Sequence, residues 1–190
     1  LYRPADSADL AAFLRQLPVD EPLLWVGLGS NLLVRDGGIR GVVIATTGLL
    51  SGLEREGETG VRAEAGVPCT RLARRCARWE LGPSAWFSGI PGTIGGALTM
   101  NAGAFGGETW DRVVRVETLS RGGELRTRTP GDYEIGYRSV RGPADEWFIA
   151  AHFDFERESE ASIERLNFRA TRRADHSAAP KTANERPEKP

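Results

Sequence analysis

Two glycine-rich segments and one arginine are the places where this chain could do chemistry. Gly27-Leu28-Gly29-Ser30-Asn31-Leu32-Leu33 follows a run of four apolar residues. Glycines at such a point let backbone N–H groups close on an anion, and Ser30 and Asn31 add side-chain donors. The spacing is not a dinucleotide fingerprint, because Leu32 stands where the third glycine belongs, nor a phosphate loop, because no Gly-Lys-Ser/Thr follows. A tight turn and a phosphate site both stay open on these residues alone. The second segment runs Ser88-Gly89-Ile90-Pro91-Gly92-Thr93-Ile94-Gly95-Gly96-Ala97 and continues through Met100-Asn101-Ala102-Gly103-Ala104. Ile90, Ile94, Leu98 and Met100 are interleaved with its glycines, so it is expected to be a buried loop packed against something flat or extended. Its backbone groups need partners there, which a polar cofactor or plain packing would supply.

Arg138 sits in Gly136-Tyr137-Arg138-Ser139, and by residue type alone it is a surface ion-pair residue. Tyr137 beside it is read as packing only. His152 and Asp154 share a strand face, but without a third partner they are expected to be structural or surface groups rather than an acid–base pair. Cys69 and Cys76 fall on the apolar face of one helix and are read as core. Trp25, Trp79, Trp86, Trp110 and Trp147 are scattered, which reads as core rather than a binding stripe. No His/Cys/Asp/Glu cluster has ligand spacing, so no metal is expected.

The elements that must carry these residues follow from periodicity. Asp6 or Ser7 can cap a helix with Leu10, Phe13, Leu14 and Leu17 on one stripe, ended by Pro18. Leu23–Val26 and Val42–Ala45 are short buried strands, the second after a Gly37-Gly38 turn. Val61, Ala63 and Ala65 alternate with Arg62 and Glu64 in a half-buried strand. Pro68 suits the first turn of a helix whose apolar face is Cys69, Leu72, Ala73, Cys76 and Ala77, with Arg71, Arg74, Arg75 and Arg78 mostly off that face. Val113–Glu117 and Leu125–Thr127 form a hairpin about Gly122-Gly123. Residues 146–155 make a further strand, and Ser159 can cap a last helix carrying Ile163, Leu166 and Ala170. Strands and helices do not alternate regularly, so the class is α+β.

Composition bounds the function. The chain has 190 residues, 25 Lys+Arg against 26 Asp+Glu, and a formal net charge of -1. That length supports a real core. Balanced charge removes the electrostatic case for nucleic acid or an anionic membrane surface. No apolar run spans a bilayer, no secretion signal is visible, and two cysteines make no disulfide framework, so a reducing compartment is expected. Lysine occurs only at Lys181 and Lys189. Residues 178–190 hold three prolines and no Ile, Leu, Val or Phe, and are expected to be a disordered tail.

At the quoted segments the sequence resembles the flavin-dependent UDP-N-acetylenolpyruvoylglucosamine reductases, or UDP-N-acetylmuramate dehydrogenases, of peptidoglycan synthesis. The resemblance rests on GLGSNLLV (27–34), GIPGTIGGALTMNAGAFGGE (89–108) and GYRS (136–139), in order and with matching separation, and spans about residues 23–173. It implies an α+β, two-lobed FAD-binding domain of the vanillyl-alcohol-oxidase/PCMH type over residues 1–155, with lobes of about 1–66 and 67–155. A C-terminal helix would follow over 156–177. It further implies FAD as cofactor, NADPH as hydride donor, a UDP-sugar enolpyruvyl ether as substrate, and residence in a bacterial cytoplasm with no obligate protein partner. Gly27, Gly29, Ser30, Asn31 and Leu32 would hold the pyrophosphate. Ser88, Gly89, Ile90, Pro91, Gly92, Thr93, Gly95, Gly96, Ala97, Asn101, Ala102 and Gly103 would wrap the rest of the cofactor. Arg138 falls on the family's catalytic arginine, whose guanidinium would stabilise negative charge at the substrate carboxylate. The family's serine general acid belongs to a substrate domain with a Gly-Ser-x-Phe-x-Asn-Pro-like segment, and none occurs here. Neither Ser139 nor Ser177 is given that role. The chain is therefore expected to be truncated and weakly active or inactive. The alternatives are a non-catalytic remnant, or a flavin oxidase of the same fold, although the loops lack the histidine that often tethers flavin in such oxidases.

Overall fold

The computed structural model describes residues 1–159. It begins with helix α1, Ser7–Gln16. Asp6 caps it by accepting the Asp9 N–H at 2.8 Å, which satisfies one of the donors a helix start leaves unpaired. Leu10, Ala11 and Leu14 are its buried stripe. Strands β1 (Leu23–Val26) and β2 (Val42–Ala45) pair in parallel, Leu23 opposite Val42, and form a small sheet of their own.

The rest is built on a five-stranded antiparallel sheet. Its strands are β3 (Leu53–Glu56), β4 (Gly60–Glu64), β8 (Val113–Ser120), β9 (Leu125–Arg128) and β12 (Glu146–Asp154), in spatial order β3-β4-β12-β8-β9. Between β4 and β8 run helix α2 (Cys69–Arg78), β5 (Leu81–Gly82), a 3-10 turn at Ala85–Gly89, helix α3 (Ile94–Met100) and the minimal hairpin of β6 (Gly103–Ala104) and β7 (Gly107–Glu108). A second hairpin, β10 (Glu134–Gly136) with β11 (Ser139–Arg141), precedes β12. Strand β13 (Glu156–Arg157) pairs with β5.

Val61, Ala63, Val116, Ala151 and Phe153 project from one face of the large sheet into a core shared with Leu72 and Cys76 of α2, Ile94 and Leu98 of α3, and Phe87. Helix α1 covers part of the other face, where Leu10 and Leu14 meet Ile44, Leu119 and Ile149. A register shift in β12 between Phe148 and Ala150 explains how Phe148 and Ala151, three apart, both serve the first core while Ile149 serves the second.

The Asp6 cap, the α2 face, β1, β2, the β8–β9 hairpin and β12 stand where periodicity put them. Three expectations are corrected. The segment after Gly89 is not all loop, since Ile94–Met100 is helical. Gly95 packs closely on Ala65, where a Cβ would meet that residue at 3.0 Å, while Gly96 is exposed on the other side of the helix. A lobe boundary near residue 66 does not fit the pairing, because β3 and β4 hydrogen-bond into the large sheet through β12. Glu156 and Arg157 are a strand rather than the start of a helix. The helix expected after Ser159 and the tail at 178–190 lie outside the described residues. None of the described helices is long and apolar enough to cross a membrane.

Candidate functional site

A cavity of about 710 Å³ opens between the small sheet, the second glycine-rich segment and the edge formed by β10, β11 and the start of β12. Its floor follows from local folding. Strand β1 delivers the chain into Gly27–Leu32 at the cavity wall, with Gly29 in the left-handed region at φ 73°. Among the described residues none accepts the backbone N–H of Gly27, Leu28, Gly29, Ser30 or Asn31. Ser30 and Asn31 are exposed, and among the described residues their side chains have no hydrogen-bond partner either. Five consecutive unpaired amides beside a left-handed glycine form a concave set of donors, the arrangement that takes an anionic oxygen.

The second segment approaches this loop closely. A side chain at Gly27 would run into Thr93, with Cγ2 and Cβ of that residue only 3.1 and 3.2 Å from the new methyl. Gly92 has φ 144°, a conformation closed to other residues, and lies near Ser30 Oγ. Thr93 is itself buried, so the two segments lock together without spare room. Ile90, Pro91, Gly92, Thr93, Gly95, Gly96, Ala97, Ala102 and Gly103 all line the cavity, together with Gly27, Gly29, Ser30, Asn31 and Leu32.

Three residues named with them do not. Ser88 donates to the Ala85 carbonyl at 2.6 Å, and Gly89 packs against Ala104 and Phe105. Asn101, left-handed at φ 40° and 3% exposed, has every side-chain polar atom engaged within the protein. Its amide donates to Glu108 at 2.7 Å and to the Gly136 carbonyl at 3.3 Å, while its oxygen accepts the Trp110 N–H at 3.2 Å. It therefore ties the end of α3 to the turn end of the β10–β11 hairpin. That hairpin turns through Tyr137 and Arg138, since Gly136 faces Ser139. Arg138 takes φ 50° there and its side chain reaches the cavity lining, whereas Tyr137 is 84% exposed. A left-handed arginine costs on the order of 1 kcal/mol, which the fold accepts in order to place a guanidinium at the rim.

Sequence reasoning missed much of the opposite wall. Trp25 of β1 and Trp147 of β12 stack at 5.2 Å and 16°, and both line the cavity, so these two tryptophans are not simply core. Trp86 and Trp110 are buried as expected. Glu146, Trp147 and Phe148 are consecutive yet all face the cavity, more than a regular strand offers to one side. Their pairing with Ser120, Leu119 and Thr118 is regular, the register shift lying beyond Phe148, so it is their place at the start of β12 beside the cavity that brings all three to it. Among the lining residues only Arg138 and Glu146 are charged. The Glu146 carboxylate is held at a pKa of about 2, chiefly by the Arg128 hydrogen bond and against its burial, with Thr118 and Arg126 assisting. Its charge is thus spent inside the protein. Nearby, burial pushes the Tyr133 hydroxyl up to about 12, so it stays protonated. The cavity consequently presents one guanidinium, a row of free amides and an aromatic wall, which suits an elongated ligand that is anionic in its middle and flat at one end.

His152 takes no part. It is buried on the outer face of the large sheet, with Glu56 on Nδ1 at 2.7 Å and Glu117 on Nε2 at 2.8 Å. Those carboxylates lie on opposite ring nitrogens and cannot converge on one ion. Arg62 holds Glu117 down to about 2. Asp154 accepts from Thr59 instead. Both cysteines are buried, and burial pushes their thiols up to about 12, which fits their reading as core.

Comparison with known proteins agrees with this geometry. Residues 1–128 match the family described as FAD binding domain. A UDP-N-acetylenolpyruvoylglucosamine reductase of Alkalilimnicola ehrlichii is 65% identical over 156 residues, covering 82% of this chain and 52% of the relative. The protein of the same name from Nitrosococcus oceani is 60% identical over 151 residues, covering 80% and 51%. The chain thus spans about half the length of these curated relatives. Among solved structures, the UDP-N-acetylenolpyruvylglucosamine reductase of Thermus caldophilus superposes with a TM-score of 0.79 at 26% identity, covering 94% of this chain and 63% of that one. With a match over most of its length, the chain belongs to the FAD-binding domain family, and its relatives within that family are UDP-N-acetylenolpyruvoylglucosamine reductases.

Proposed function

We propose that this chain is the flavin-holding part of a reductase that converts UDP-N-acetylglucosamine enolpyruvate to UDP-N-acetylmuramate at the expense of NADPH, in the cytoplasm of a bacterium. The observation that carries the reading is the row of unpaired amides at Gly27–Asn31, facing a second glycine-rich segment across a cavity of about 710 Å³. The residues present fit FAD. The amides and the Ser30 and Asn31 side chains would hold its pyrophosphate, while Gly92–Ala97, Ala102 and Gly103 leave its path clear of side-chain bulk. Val26, Trp25, Trp147 and Phe148 offer apolar surface to a flat ring.

When bound, FAD supplies a carrier that takes hydride from NADPH and passes it to the enolpyruvyl double bond. What this chain's own residues add is position and charge. Arg138, fixed by a short hairpin anchored through Asn101, would hold the substrate carboxylate and oppose the negative charge that builds there during reduction. Glu146 stays ionised and paired, so it does not repel that carboxylate. The proton for the other carbon needs a separate donor, and Ser139, exposed in β11, has no hydrogen bond to a base among the described residues.

Two measurements test the reading. FAD titrated into the chain should bind one-to-one with quenched flavin fluorescence, and Gly92→Val should abolish this because valine cannot adopt φ 144°. Joining residues 1–157 to the C-terminal half of the Alkalilimnicola ehrlichii relative should restore substrate-dependent NADPH oxidation. Arg138→Ala in that chimera should lower kcat by roughly 10²–10³. A chain that ignores FAD, or a chimera indifferent to Arg138, would overturn it.

A further inference from the structure

The exposed face of α2 carries Arg71, Arg74, Arg75 and Arg78 at the i, i+3, i+4, i+7 spacing of a single helical face, a strip about 10 Å long. None of the four lines the cavity. Among the described residues none of them has a carboxylate partner; Arg3, Arg15, Arg35, Arg40, Arg55, Arg121, Arg138 and Arg157 share that condition, but here four such arginines are gathered on one helical face. Their contacts are to neutral groups. Arg71 donates to the Ser51 carbonyl at 3.0 Å, Arg74 to the Thr70 carbonyl at 3.2 Å, and Arg75 lies 5.5 Å over the Trp79 ring. Like charges three and four apart weaken a helix, and the first turn, where Arg71 lies, is where the helix dipole disfavours a cation. The core gains nothing from them, since α2 is anchored by Cys69, Leu72, Ala73, Cys76 and Ala77 on its other side.

We propose that this strip is a docking surface for an acidic helical segment of another protein. Carboxylates at the same spacing on the partner would each meet a guanidinium fork in a paired geometry. An extended polyanion fits less well. The strip is one helix wide, exposed Glu80 follows directly after it, and the chain as a whole has a net charge of -1, so no broad positive field surrounds it.

The test uses the 190-residue chain and a fluorescein-labelled helical peptide bearing Glu at i, i+3, i+4 and i+7, followed by anisotropy. The Gln version of the peptide, a single-stranded RNA oligomer and phosphatidylserine vesicles serve as competing probes. The Glu peptide should bind, with the Gln peptide weaker by at least about tenfold. Replacing all four residues (R71Q/R74Q/R75Q/R78Q) should cost a similar factor while the variant melts no lower than the parent. Equal binding of the Glu and Gln peptides would overturn the proposal, as would tighter binding of RNA or vesicles. A lower melting temperature for the fourfold variant would overturn it too, because it would assign these arginines to the fold.

Discussion

Gly27→Ala isolates the contact that locks the two glycine-rich segments. Gly27 is not one of the left-handed glycines, so alanine is acceptable to the backbone there. By itself that change would stabilise the chain by about 0.4–1 kcal/mol through the unfolded state. The new methyl, however, would press on Thr93, whose Cγ2 and Cβ lie at 3.1 and 3.2 Å and whose Oγ1 is nearer still. Thr93 is 2% exposed and has nowhere to turn, so overpacking costs about 1–3 kcal/mol. The expected net loss is about 1–2 kcal/mol. It should appear in urea unfolding, with FAD affinity lowered roughly tenfold for each 1.4 kcal/mol that displaces the loop. Thr93→Ala removes Oγ1 and Cγ2, so the double variant should recover about 1 kcal/mol relative to the sum of the single losses. If the double variant simply adds, within about 0.5 kcal/mol, the segments do not meet through this contact and the reasoning is wrong.

Glu146 should make the fold acid-sensitive. Its folded pKa is lowered from 4.5 to about 2, so its contribution is fully present above pH 4.5 and lost as pH falls toward 2. That contribution is on the order of 3 kcal/mol for a side chain only 3% exposed, and Glu146→Gln should flatten the urea midpoint across this window relative to the parent. Asn101→Ala leaves the Trp110 N–H without an acceptor and the Gly136 carbonyl without its donor. It should cost about 2–3 kcal/mol and speed amide exchange at Ile135 and Val140, and unchanged exchange there would remove Asn101 as the hairpin's anchor. Cys69 and Cys76, with thiols pushed up to about 12, should resist a disulfide reagent at pH 8 until urea unfolds the chain. Prompt labelling of the native protein would contradict their burial.

Local pattern was sufficient wherever a residue's environment depends on its immediate neighbours. The α1 stripe, the cysteine face of α2 and the alternation of Val61 and Ala63 are periodicities, and a periodicity is visible before folding. The glycine-rich segments were legible for the same reason, because their composition has few uses other than close backbone approach. The resemblance they carry led to the family and to Arg138. What was not legible depended on pairing across distance. Strand β3 has only Leu53 as an apolar residue and becomes a strand because β4 offers it an edge. The β10–β11 hairpin turns through Tyr137 and Arg138, neither of them a turn-forming glycine, and is held by Asn101 from the end of α3. For that reason Asn101 reads as a cofactor ligand in sequence and as a structural tie in space.

The sequence by itself marked the groups that could face an anion, the glycines with Ser30 and Asn31, while a tight turn stayed open for them and Arg138 was singled out only through the family resemblance. Only the tertiary structure decided which of those groups line one cavity. It stacked Trp25 on Trp147 across two sheets, set the start of β12 beside the cavity so that three successive residues line it, and paired the Glu146 carboxylate with Arg126 and Arg128. Each of these depends on residues more than a hundred positions apart or on the register between strands, and neither quantity is written in local composition.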